Sequence, residues 1–124
     1  MKNNQPVTRN EILFPKDAYI VSRTDLKGVI THVNEAFVQI SGFSRDELIG
    51  QNQNIIRHPD MPEAAFRDMW ATIQAGQPWR GAVKNRCKNG DFYWVEAFVM
   101  PLKRQGKITG YQSVRTPLSS AKRA

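Results

Sequence analysis

The sequence predicts an α+β domain, one β-sheet with its helices segregated to one side. Three observations carry that reading. Apolar residues alternate, or cluster with β-branched and aromatic types, at both ends of the chain, and recur at helical spacing in the middle. Turn strings "DLKG", "NGD" and "RQG" separate the strand-like runs. Capping residues and glycines bracket the helical block, which gives the order β-β-α-α-α-β-β-β.

Residues 1–17 are polar, hold Pro6 and Pro15, and read as a loose or partner-dependent leader. "AYIVSRT" (18–24) has the content of a strand, and "VITHV" (29–33) pairs with it as a hairpin across "DLKG". Asn34 is placed to cap a first helix in which Ala36, Phe37 and Ile40 recur at helical spacing and Gly42 terminates. "SRDELIG" repeats the device: Ser44 caps, Glu47 completes a capping box, and Gly50 stops the helix. "QNQNIIRH" is a short irregular or helical connection. Asp60 is the expected N-cap of the long helix, with Pro62 near its first turn and Ala75-Gly76 at its end. Ala65, Phe66, Met69, Trp70 and Ile73 mark one buried face of that helix. Strands follow at 79–88, 92–103 and 107–116, and residues 117–124 read as the start of a linker in a longer chain. The folded domain proper is 18–116.

At 124 residues the chain is a single domain with room for a core. The lone Cys87 excludes an internal disulfide framework and suits a reducing compartment. No apolar run approaches the ~20 residues of a membrane span, and the start lacks a signal peptide's apolar stretch, so the expected location is cytoplasmic. The net charge of +7 admits a nucleic-acid or membrane partner. No nucleic-acid signature accompanies it, so a solvated face, or an anionic ligand, explains it better. Nucleic acid is not expected.

Polar chemistry gathers at Arg57-His58-Pro59-Asp60. Pro59 biases His58 away from helical angles, so the turn is extended and its side chains splay. Arg57 offers a fork of donors suited to phosphate or carbonyl oxygens. The plainer alternative, that Asp60 only caps a helix and Arg57 pairs with Asp60 or Glu63, stays open. On the next strand, alternation sets Val83, Asn85 and Cys87 inward and a solvated Lys84, Arg86 and Lys88 outward. An inward amide needs partners and both donates and accepts. Trp79 is a cover for a ring or a core filler, Asn34 a cap that could also face a pocket, and Phe66 and Trp70 core that doubles as pocket wall. "HPD" also marks J-domain co-chaperones, but there it lies between helices of an all-helical domain. His32, His58 and Cys87 lack metal-ligand spacing, no nucleophile accompanies His58 and Asp60, and Met61 to Gly76 holds no histidine for haem. Neither a metal site nor an enzyme is expected.

The strings "TDLKGVITHVNEAF", "SGFSRDELIG", "KNGDFYW" and "GKITGYQSVR" resemble PAS domains over residues 18–116. More narrowly, "RHPDMP", with "AF" and "DMW" behind it, and "PW" before "VKNR" resemble the flavin-binding PAS domains of aerotaxis receptors. The resemblance implies a five-stranded antiparallel sheet that encloses non-covalent FAD and senses redox state. It also implies that the signal passes to downstream signalling domains of an aerotaxis chemoreceptor, anchored at the inner membrane outside this segment. A PAS–PAS homodimer is a further expectation. Carried onto this chain, Arg57, His58 and Asp60 anchor the anionic or polar parts of FAD, Asn85 reads the ring edge, and Trp79, Phe66, Trp70 and Asn34 enclose it. Gln112 and Arg115 are candidate relays whose register is open. Light-sensing relatives carry a reactive cysteine where this chain has Gln53, so a photoadduct is not expected. The competing class is a PAS interaction module with an empty pocket or another small ligand.

Overall fold

The structure, a computed structural model, describes residues 10–12 and 18–118. Five strands form one antiparallel sheet: β1 (Ile20–Thr24), β2 (Ile30–Val33), β3 (Trp79–Arg86), β4 (Phe92–Arg104) and β5 (Lys107–Pro117). Their order across the sheet is β2-β1-β5-β4-β3, so the chain crosses the sheet once, between β2 and β3. That crossover holds α1 (Glu35–Ser41), α2 (Arg45–Leu48), a 3₁₀ turn (Gln53–Ile56) and α3 (Glu63–Gln74). The α+β class and every expected element are present.

The short helices are held by their ends. The Asn34 side chain accepts from Phe37 N–H, and Gly42 takes the left-handed conformation (φ 77°) and donates to the Val38 carbonyl. Ser44 and Glu47 make a reciprocal capping box. Such helices are too short to persist alone, so packing must hold them. Phe37 and Leu48 are fully buried against Ile20, Val33, Phe43, Ile55, Tyr93 and Val95. A smaller cluster, Ile73, Val99 and Tyr111, lies under α3 with Met69 and Trp70 against it.

Two expectations need correction. Asp60 is not the cap of the long helix: α3 starts at Glu63, its N-cap is Pro62, and no side chain caps it. Asp60 lies in the preceding turn, where its carboxylate meets Lys84 Nζ at 3.0 Å. Arg86 is not solvated but only 2 % exposed, although it does lie opposite Asn85 on β3. The leader is docked in part: the Ile12 N–H donates to the Phe92 carbonyl (2.7 Å) and Phe92 N–H to the Asn10 carbonyl (3.0 Å). At the other end β5 runs through Pro117, and Leu118 is buried. The rest of the expected leader and the linker from Ser119 onward lie outside the described residues.

Candidate functional site

Helical and strand periodicity meet at one cavity of about 330 Å³ between α3 and the inner face of the sheet. Phe66, Met69, Trp70 and Ile73, at the 3, 4 spacing of one helix face, form one wall. The alternate residues Val83 and Asn85 of β3, Ala97 and Val99 of β4, and Tyr111, Ser113 and Arg115 of β5 form the floor. Thr24 at the end of β1 and Lys27 and Gly28 of the β1–β2 turn close a third side with Asn52, Gln53, Asn54, Ile56 and Arg57. Gly28 has φ 84°, and a Cβ there would sit 3.1 Å from the Trp70 ring; the glycine lets the indole close over the turn. Trp70 in turn meets Tyr111 edge-on at 5.5 Å.

The polar groups of this cavity are incompletely paired. Asn85 is 4 % exposed and its Oδ1 accepts nothing. Ser22 Oγ–H donates to Gln53 Oε1 (3.2 Å), leaving Gln53 Nε2 without an acceptor. Arg115, 3 % exposed, donates from Nη2 to the same Ser22 oxygen (2.8 Å), while its Nε is unpaired. Its guanidinium lies 4.5 Å from the centre of the Phe37 ring. Burial pushes Arg115 down to about 10, which leaves it cationic at neutral pH. Arg57 stacks over Phe66 at 4.0 Å, and its backbone bridges to Asn85. Lys27, Arg57 and Arg115 line the cavity together with no aspartate or glutamate. Unpaired buried donors and acceptors in a concave, cationic site are what a polar, anionic ligand would satisfy.

Of the eight residues expected to bind, Arg57, Phe66, Trp70 and Asn85 line the cavity. The other four lie off its lining. Asn34 spends its side chain on backbone, accepting from Val21 N–H (3.1 Å) and Phe37 N–H and donating to the Tyr19 carbonyl (3.0 Å). Trp79 donates from its indole to Asp68 Oδ2 (3.0 Å), bracing α3 from β3. His58 is 2 % exposed against Phe92, and its Nδ1 accepts the Asp60 N–H (3.0 Å). Burial, with Lys84 beside it, lowers the His58 pKa below its ordinary 6.5. The hydrogen bond from Lys84 holds the Asp60 carboxyl below the usual range. Both residues stand in the turn that follows Arg57.

Gln53, Ser113 and Lys27 join the lining unannounced by the sequence. Alternation on β5 would have found Ser113 once Arg115 was set inward, and of the two residues expected as candidate relays Arg115 is the one that lines the cavity. Gln112 faces the other way and accepts from Arg23 Nε (2.9 Å). Nothing periodic marks Gln53, which sits on a single 3₁₀ turn. Cys87 Sγ donates to the Ile40 carbonyl, and burial pushes its thiol up to about 12, far from a reactive thiolate. Among the described residues, no three His, Cys, Asp or Glu side chains group to hold a metal, and no helix is long and apolar enough to cross a membrane.

Comparison with known proteins matches residues 30–115 to the PAS fold family. The chain is 53% identical over 116 residues to the aerotaxis receptor of Escherichia coli (strain K12), a match that covers 94% of this chain and 23% of the receptor. It is 32% identical over 100 residues to the nitrogen fixation regulatory protein of Klebsiella pneumoniae, 80% of this chain and 20% of that protein. The chain thus spans about a fifth of these relatives. Among solved structures, the dark structure of the blue-light photoreceptor Aureochrome1 LOV superposes with a TM-score of 0.76 at 23% identity, over 82% of this chain and 77% of that one.

Proposed function

Since this chain belongs to the PAS fold family, we propose that it is a sensor module that holds FAD non-covalently and reports the redox state of the flavin to a signalling domain. The observation that carries the reading is the set of unpaired buried polar atoms on residues that line a cavity with three cations and no acid. Gln53 Nε2 and Arg115 Nε are donors and Asn85 Oδ1 is an acceptor. Together they complement the carbonyl, N–H, carbonyl edge of an isoalloxazine. The volume lies at the small end of ligand pockets, roughly 300–1,000 Å³, and suits the ring system. Phe66 and Trp70 then cover its faces, and Asn85 and Gln53 orient it. Arg57 and the exposed Lys27 and Asn52 stand at the rim, where a diphosphate would find cations. Bound FAD would supply a reversible two-electron couple whose ring changes charge on reduction.

Signal passes through residues that already bridge elements. Ser22 links Gln53 on the crossover to Arg115 on the central strand β5. A change in what Gln53 or Arg115 faces therefore bears on β1 and β5 together, provided the sheet has two arrangements to choose between. The likeness to an aerotaxis receptor supports a cytoplasmic module of a membrane-anchored chemoreceptor, with its signalling domains beyond this segment.

The test is the visible absorption spectrum of purified protein before and after dithionite. Two oxidised-flavin bands that bleach, with the released group identified as FAD, support the reading, and Asn85→Ala should lose the colour. Protein that stays colourless after reconstitution with FAD ends it and leaves an interaction module or another ligand.

A further inference from the structure

The net charge of +7 is not spread evenly over the fold. Arg45, Arg67, Arg80, Lys84 and Lys88 each pair with a carboxylate. The exposed cations that make no ion pair among the described residues are Arg23, Lys27, Lys103, Arg104 and Lys107, and all lie at one end of the sheet. Antiparallel pairing brings them there: Thr24, the last residue of β1, stands opposite Tyr111, and Arg104 opposite Lys107. A Cβ on Gly110 would strike the Thr24 carbonyl, so the β4–β5 hairpin lies against the β1–β2 turn. Gln105 (φ 52°) and Gly106 (φ 79°) make a tight two-residue turn that holds Arg104 and Lys107 out. Asp25, the one acid in segments 23–28 and 103–107, turns its Oδ1 back to the Lys27 and Val29 N–H groups (2.8 and 3.0 Å). Between these charges, on the β1–β2 turn, Leu26 is 51 % exposed. The docked leader and the end of β5 lie at the opposite end, beside Phe92 and Val95, so neither covers this one.

We propose that this end of the sheet docks on an anionic phospholipid surface, with the cations at the phosphates and Leu26 in the headgroup layer. Like charges gathered without acids repel one another, and an anionic surface removes that cost. Each lysine or arginine held near an anionic leaflet raises partition about fivefold. An apolar side chain that projects from among cations adds to this only where it has an apolar layer to enter, which a bilayer interface supplies. A phosphodiester backbone offers Leu26 nothing, and no aromatic ring lies in 23–28 or 103–107 for a base to stack on. A pair of hairpin turns gives an acidic peptide neither a free strand edge nor a helix groove. The inference stands apart from the flavin reading: Lys27 is shared with the cavity rim, but Arg23, Leu26, Lys103, Arg104 and Lys107 lie off the lining.

The experiment is co-sedimentation of the purified chain with large vesicles, of phosphatidylcholine alone or mixed with phosphatidylglycerol, at about 50 mM and about 500 mM salt. Wild type should pellet with the mixed vesicles at low salt, stay free of phosphatidylcholine, and be released at high salt. Lys103→Gln combined with Lys107→Gln should lower the partition coefficient about 25-fold. Leu26→Ser alone should lower it at least about threefold. Arg67→Gln combined with Arg80→Gln removes the same charge elsewhere on the surface and should move it less than about threefold. All these side chains are exposed and none lines the cavity, so every variant should keep the wild-type urea midpoint. Wild type that stays free of the mixed vesicles at low salt overturns the proposal. So does a Lys103 and Lys107 variant that sediments like wild type, or an equal loss in the Arg67 and Arg80 variant, which would reduce the effect to net charge. An unmoved partition in Leu26→Ser, or tighter binding to duplex DNA or polyglutamate at the same salt, overturns the lipid assignment.

Discussion

The core around α1 and the wall made by α3 are built from similar residues to opposite ends. Around α1 the apolar side chains are sealed, with Phe37, Phe43 and Leu48 at 0–1 % exposure. Both helix termini are capped there, and Asn34 has a partner for each of its polar atoms. Of α3's own residues only Ile73 is buried, no side chain caps the N-terminus, and Gln53, Asn85 and Arg115 beneath it keep unpaired polar atoms. The first region is finished by folding. The second is left incomplete by it, which is the physical signature of a surface meant for something else. The largest effect should come from removing the sealed side. Phe37→Ala should cost about 3–5 kcal/mol in urea unfolding, whereas Phe66→Ala, whose ring partly faces the cavity, should cost roughly 1 kcal/mol. Equal costs would mean that both regions are ordinary core.

Ligand should stabilise the unfinished side. FAD at a hundred times its Kd should add about 2.7 kcal/mol to the unfolding free energy. Asn85→Ala should abolish most of that gain, because the added FAD would no longer bind the folded state tightly. A thermal-shift series with FAD reads it directly, and an undiminished shift in Asn85→Ala would remove that residue from the site. Asn34→Ala sharpens the comparison from the other side. It should cost about 1–2 kcal/mol through the lost cap and the freed Val21 N–H. The gain from FAD should be unchanged, because Asn34 spends all its bonds on backbone.

The same contrast explains what the sequence made legible. Elements with their own local logic were readable: the Asn34 and Ser44 caps, the glycine stops, and the hairpins. So was the inward setting of Asn85, because a period of two carries through β3. The site was readable only where periodicity reached it, on α3 and at Asn85. Gln53 lies on a 3₁₀ turn with no repeat to betray a facing direction, and Arg57, on the same crossover, came from its own string. The choice between Gln112 and Arg115 depended on the register of β5 against β1 and β4, where a bulge at Leu102/Lys103 resets the pairing. Arg86 was misread because alternation gives a face and not what covers it. Asp60 was misread as a cap because a capping residue type stood beside Pro62, yet its carboxylate had a stronger partner across space in Lys84.

The smallest expected effect tests whether the Arg57 turn is set by packing or by ligand. His58 is buried as a neutral ring whose Nδ1 accepts a backbone N–H, and protonation would remove that acceptor. Its folded pKa lies below the 6.5 of the unfolded chain. On the way down in pH, the unfolded state therefore takes up a proton first, and stability falls from about pH 6.5 until the folded form also protonates. The slope in that window cannot exceed about 1.4 kcal/mol per pH unit. The two carboxylates with depressed pKa values act lower: Glu47, bonded by Lys88, is drawn from 4.5 to about 2, and Asp60 starts from 3.8. Urea midpoints of the ligand-free protein between about pH 7.5 and about pH 5.5 thus report chiefly on His58 among these groups. His58→Asn offers an acceptor that does not titrate and should flatten the profile. A His58→Asn protein with the wild-type pH profile would show that the turn does not depend on the neutral imidazole, and would return the positioning of Arg57 to the ligand.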